Sequence, residues 1–89
     1  MTSSMAKAAA PRLRLYGRSY CHLCEDMIAA LAPLREEFGF ALEVVDVDSD
    51  PALERRYGPW VPVLAHEEVE LCHYHLDASK VRAHLLKTR

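Results

Sequence analysis

The sequence predicts an α/β domain with elements in the order β-α-β-α-β-β-α, a four-stranded mixed sheet and helices on both faces. Three observations carry that expectation. Short apolar or alternating runs without a helical period recur at "RLRLYG", "ALEVVDVD", "WVPVLA" and "EVELCHYHL". Helix signals separate the first three runs and follow the fourth. The chain has 89 residues, the length of one domain. A domain of that size buries only about 60–65% of the surface its unfolded chain exposes, so its core must be modest.

Each element has a local reason. Residues 1–11 are rich in Ser and Ala and read as a flexible leader, with the domain covering 12–89. In "RLRLYG", Leu13 and Leu15 share one face of a strand, and Gly17 and Ser19 open a turn. Leu23, Met27, Leu31, Leu34 and Phe38 follow at the spacing of an amphipathic helix. Gly39 caps that helix, and Pro33 inside it should kink it near Ala29. "ALEVVDVD" reads as a buried, parallel strand. Asp50 as N-cap, Pro51 at the first helical position and Gly58 as the stop bound a short helix over about 51–57. "WVPVLA" and "EVELCHYHL" read as antiparallel neighbours joined at about His66–Glu68. Asp77 caps the last helix, with Leu76 and Val81 placed for a hydrophobic staple. Helical crossovers should make the first three strands parallel, with the fourth antiparallel at the edge.

Composition removes several classes. The formal net charge is −2 and the basic residues are spread along the chain, so no nucleic-acid partner is expected. The longest apolar run near the N-terminus is Ala8–Pro11, too short for a membrane span or a signal-peptide apolar region. Residues 1–25 hold Lys7, Arg12, Arg14 and Arg18 against a single acid, Glu25. A Ser/Ala-rich leader is preferred there over a transit peptide. Three cysteines are an odd, low count, which favours a reducing cytoplasm over a disulfide-stapled secreted domain. A monomer is expected.

The chemistry concentrates at "SYCHLC", residues 19–24. Cys21 and Cys24 stand where the first strand gives way to the first helix. Three readings are open: a redox pair, half of a metal site, or two inert thiols. The strand–turn–helix context favours the first. Free N–H groups and the positive end of the helix dipole favour an anion at Cys21, which should lower its pKa. Arg18 could add positive charge, whereas Glu25 and Asp26 oppose it and His22 helps only when protonated. Cys24 lies one turn deeper on the same helix face, the relation of a nucleophile and a resolving thiol.

A first strand, then "YCHLC" opening a long helix, then "VDVDSDPALERRYGPWVP" leading into a strand resembles the thioredoxin/glutaredoxin superfamily, and most closely its small glutaredoxin-like domains. The likeness covers roughly residues 12–87. It implies a thioredoxin-like fold and a thiol-disulfide oxidoreductase, with Cys21 as nucleophile and Cys24 as resolving thiol. It implies a cis Pro62 facing the pair, with the Val61 backbone offered to a substrate. Arg18 stands where glutaredoxins often hold a glutathione carboxylate, and Asp77 where an acid holds the amino end. Tyr20, His22, Leu23 and Trp60 complete the implied substrate surface. The resemblance implies no tightly bound cofactor, with glutathione as a candidate reductant and a disulfide-containing protein or glutathione as partner. Three features depart from the family pattern. His22-Leu23 is neither the Gly-Pro of thioredoxins nor the Pro-Tyr of typical glutaredoxins. Tyr20 stands where thioredoxins have Trp. "CHYHLD" lacks the Gly-Gly that usually precedes the acid.

An alternative is a non-catalytic module on the same fold that binds a partner or holds a metal or iron–sulfur cluster. A metal reading would recruit Cys72, His73 and His75, whose spacing is poor for zinc. Cys72 reads as a small buried residue, and His73 and His75 as polar residues on an edge strand. "DVDSD" imitates the start of a calcium loop, but Pro51 and Tyr57 occupy the positions needing Gly and Glu, which excludes it. Tyr16 either lines the groove with Tyr20 and Trp60 or packs inside. His66 and His84 read as surface residues.

Overall fold

The computed structural model describes residues 11–88, so the leader expected over 1–11 lies outside the described residues except for Pro11. Strands β1 (Arg12–Gly17), β2 (Ala41–Asp46), β3 (Val63–His66) and β4 (Val69–His73) form one sheet in the order β2-β1-β3-β4. Helices α1 (His22–Phe38), α2 (Pro51–Tyr57) and α3 (Ala78–Thr88) complete the expected element order. Among the described residues, no helix is long and apolar enough to cross a membrane.

The larger core lies on one face of the sheet. Leu13, Leu15 and Leu64 meet Met27, Leu31 and Leu34 of α1 and Val81 and Leu85 of α3, all nearly or fully buried. Each such side chain contributes roughly 1.5–3 kcal/mol by leaving water. The other face carries a smaller cluster of Tyr16, Val47, Tyr57, Val63 and Ala65, with α2 over it. Helices therefore cover both faces. α1 runs unbroken through Pro33, at the cost of the hydrogen bond that residue cannot donate. Gly39 ends it at φ 72°, a left-handed conformation that suits glycine.

Strand direction departs from expectation. β1 and β2 are parallel, but β3 runs antiparallel to β1, and β4 antiparallel to β3. A third parallel strand would require the chain to travel the height of the sheet after β2. The seven residues of α2 advance only about 10 Å, against about 20 Å for a six-residue strand. The chain therefore enters β3 at the end where it left β2.

β2 is the sheet edge rather than a buried strand, and Val44 is 57% exposed. It also stops at Asp46, whose carboxylate accepts the Asp48 N–H at 2.9 Å and caps a 3-10 turn over Val47–Ser49. Asp50 caps α2 through Ala52 N–H at 2.9 Å. "WVPVLA" becomes strand only at Val63, after a 3-10 turn over Gly58–Trp60. The β3–β4 register shifts between Leu64 and Ala65, paired with Cys72 and Glu70. Leu71 is thus the extra residue of a bulge, and both it and Cys72 reach the α1/α3 core.

Candidate active site

Pairings at one end of the sheet set the site. Asp46 stands beside Gly17, Tyr16 beside Val63, and Val63 beside His73. The loop leaving β1 toward Cys21 and the segment entering β3 through Pro62 therefore emerge side by side, on strands about 4.8 Å apart. The Val61–Pro62 peptide bond is cis.

Cys21 is the N-cap of α1. Its extended backbone (φ −100°, ψ 107°) turns the sulfur over the first turn, where it accepts the Cys24 N–H at 3.2 Å. Its carbonyl accepts from Cys24 N at 3.1 Å and Glu25 N at 3.2 Å. Cys21 is partly exposed, whereas Cys24 is 5% exposed. The Cys24 thiol is pushed up to about 11, first by burial and next by its hydrogen bond with Cys21, while the Arg18 backbone amide pulls it down. The two sulfurs therefore differ in access, and burial holds the proton on the deeper one. Gly17 makes room for the deeper one, because a Cβ there would lie 2.7 Å from Cys24 Sγ. Beside Cys24, Gly17, Arg18, Ile28, Val44 and Asp46 help line a cavity of about 260 Å³.

Residues 12–86 match the family described as Glutaredoxin-like domain (DUF836). This chain belongs to the glutaredoxin-like family. It is similar to protein Ne2328 of Nitrosomonas europaea, at 45% identity over 84% of this chain and 91% of that one, with a TM-score of 0.78. It is also similar to protein XcR50 of X. campestris, at 42% identity over 84% of this chain and 96% of that one, with a TM-score of 0.69. Thioredoxin 1 of Thermosipho africanus, at 16% identity over 86% of this chain and 97% of that one with a TM-score of 0.57, shares the fold.

The other expected site residues of this glutaredoxin-like protein divide. Arg18 turns its guanidinium to Asp48, to Glu54 Oε2 at 2.9 Å and to the Gly58 carbonyl at 3.2 Å. It ties the cysteine loop to α2 and to the start of the proline segment, rather than standing free for a substrate carboxylate. Tyr20 is 99% exposed just ahead of Cys21. His22 is exposed and meets Asp26 at 3.3 Å, one turn on, while Leu23 is half-buried. Trp60 is half-exposed, edge-on to His73 with centroids 5.5 Å apart. Val61 packs against both cores. Asp77 accepts the Lys80 N–H at 3.1 Å and so caps α3. Tyr16 is packing, stacked on Tyr57 at 4.0 Å.

Cys72 is half-buried, and burial pushes its thiol up. β4 ends at His73, so His75 does not share its strand face. Among the described residues, no group of three or more His, Cys, Asp or Glu is arranged to hold a metal ion. Reasoning from sequence missed the Arg18 clamp, whose Asp48 and Glu54 lie 30 and 36 residues away. It also missed Tyr74 and the contact between His66 and His84, whose ring nitrogens are 2.7 Å apart.

Proposed function

We propose that this protein is a thiol-disulfide oxidoreductase working through Cys21 and Cys24. The observation that carries the reading is the inequality of the pair: a partly exposed sulfur at a helix N-cap, holding the N–H of a second cysteine whose thiol is buried. The Cys21 thiolate attacks a substrate disulfide. A Cys21–substrate disulfide forms, the substrate S–S bond breaks, and one substrate thiolate leaves and takes a proton from water. The Cys24 thiol then gives up its proton and attacks the Cys21 sulfur. The second substrate thiolate leaves and a Cys21–Cys24 disulfide remains. The substrate has gained two electrons and the protein has lost two. A dithiol, or two molecules of glutathione, returns them.

The raised Cys24 pKa orders these steps. At neutral pH Cys24 stays a thiol and leaves the first attack to Cys21. Conversion of Cys21 to a mixed disulfide removes the Cys21 charge, one of the causes that hold the Cys24 proton in place. The test is mass spectrometry after mixing with a protein disulfide. Cys24→Ser should accumulate the mixed disulfide on Cys21, and Cys21→Ser should form none. Wild-type turnover by Cys21→Ser would sink the reading.

A further inference from the structure

Tyr74 carries a backbone that tyrosine rarely adopts. Its φ is 64°, in the left-handed region, and it follows directly on the last residue of β4. Such a conformation costs of order 1 kcal/mol or more and persists where surrounding contacts over-determine it. Those contacts converge on one segment. The Tyr74 N–H donates to the Pro62 carbonyl at 2.9 Å, and its hydroxyl donates to the Pro59 carbonyl at 3.0 Å. Its ring lies 4.7 Å from His73 and 6.2 Å from Trp60, centroid to centroid. Arg18 holds the Gly58 carbonyl at 3.2 Å. Among the described residues, none of the hydrogen bonds uses the carbonyls of Trp60 or Val61. The segment beside the cysteine loop is thus pinned at Gly58, Pro59 and Pro62, with two acceptors left between the pins.

We infer that Tyr74 is a positioning residue that fixes the Pro59–Pro62 segment, so that the Val61 carbonyl pairs with the backbone of an extended polypeptide disulfide substrate. The substrate class rests on the redox reading above, whereas the bracing of the segment does not. An unstrained fold needs only the β3–β4 hairpin, and glycine would take φ 64° freely. A tyrosine held there, with its hydroxyl spent on the proline segment, is accounted for by the segment's geometry.

The test compares wild type, Tyr74→Phe and Tyr74→Gly on a protein disulfide and on hydroxyethyl disulfide, which has no peptide backbone to pair. Tyr74→Phe keeps the ring and loses the bond to Pro59, and should raise KM for the protein disulfide about fivefold, one hydrogen bond's worth. Tyr74→Gly should raise it further. kcat on the protein, and both parameters on the small disulfide, should hold. The denaturation midpoint of Tyr74→Gly should stay near wild type, because relief of the backbone offsets the lost contacts. Unchanged protein KM in both variants, or equal losses on both substrates, overturns the inference. Acrylamide quenching of Trp60, the single tryptophan of the chain, reads the segment without any turnover. It should rise in both variants. If wild type reduces neither disulfide, the redox reading fails, and the bracing then stands or falls on quenching alone.

Discussion

The two ends of the sheet each hold a pair of titratable side chains in contact, and the pairs differ in kind. At the end where β1 finishes, Cys21 and Cys24 are three residues apart and unequal, one sulfur partly exposed at a helix N-cap and the other buried. At the opposite end, His66 at the close of β3 and His84 of α3 are eighteen residues apart and alike in access, both half-buried. Their ring nitrogens lie 2.7 Å apart, a hydrogen bond whose donor is set by the tautomers, and the contact ties α3 to the sheet. Proximity of two titratable groups does not by itself make a reactive site. Reactivity requires that one group meet a visitor while the other waits. The cysteine pair has that asymmetry and the histidine pair lacks it.

The largest expected effect separates the two ends. Cys21→Ser should reduce disulfide turnover to the uncatalysed background and shift stability by no more than about 0.5 kcal/mol, since the side chain is partly exposed. His84→Ala should leave turnover intact and cost about 1–2 kcal/mol, through the lost imidazole contact and the packing beneath it. Kinetics on a protein disulfide beside urea denaturation of each variant checks both. A His84 variant with lost turnover at full stability would break the contrast.

Gly17→Ala comes next, because it strikes the buried half of the cysteine pair. The added methyl would stand 2.7 Å from Cys24 Sγ, and Leu15 is packed behind it at 3.5 Å. Overpacking of this kind costs about 1–3 kcal/mol. The sulfur that must swing to Cys21 is the atom displaced, so the mixed disulfide should persist longer than in wild type. Quenched-flow trapping of that adduct, read beside the denaturation midpoint, measures both losses.

A third expectation follows from the proton that Cys24 keeps. Its thiol is pushed up to about 11, and burial, the largest cause, persists once Cys21 is in a mixed disulfide. The thiolate needed for resolution therefore grows with pH through the neutral range, on the order of tenfold per unit while the thiol form dominates. Resolution of a preformed Cys21 adduct should accelerate from pH 6 to pH 8 along that slope. A flat profile would mean that Cys24 loses its proton by another route.

What the sequence discloses follows the same contrast. The cysteine pair is local, three residues apart at the start of a helix whose apolar stripe is plain, so its place can be read. Asp50, Pro51, Gly39 and Asp77 act within a few residues of themselves, and their caps stand as expected. The direction of β3 could not be read this way. It depends on whether a seven-residue helix can carry the chain back across the sheet, a question of distance rather than of residue type. Arg18, expected to add positive charge beside the cysteines, is held by two acids far along the chain. Tyr74 gave no signal, because a left-handed backbone is inferred from Gly or Asn and not from tyrosine. The reading of His66 and His84 as surface residues missed their contact, which exists only once α3 lies against the end of β3.

The smallest effect tests that last contact through pH. Burial lowers the His84 pKa from its ordinary 6.5, and the neighbouring His66 and then Lys87 push the same way. The folded chain therefore refuses a proton that the unfolded chain accepts once pH drops below about 6.5. Stability should be complete above that point. It should fall as pH decreases from 6.5 toward the folded pKa, and level off below it as far as this group is concerned. Comparison of wild type with a variant that lacks the His84 imidazole, between pH 7 and pH 5.5, isolates its contribution. His84→Phe keeps a ring of similar shape and cannot titrate. Urea denaturation across that interval should show a decline in wild type and a flatter line in the variant. Equal slopes would mean that the histidine contact is no more sensitive to acid than the rest of the surface. Disulfide turnover, which needs neither imidazole, should show no step assignable to His84 over the same range.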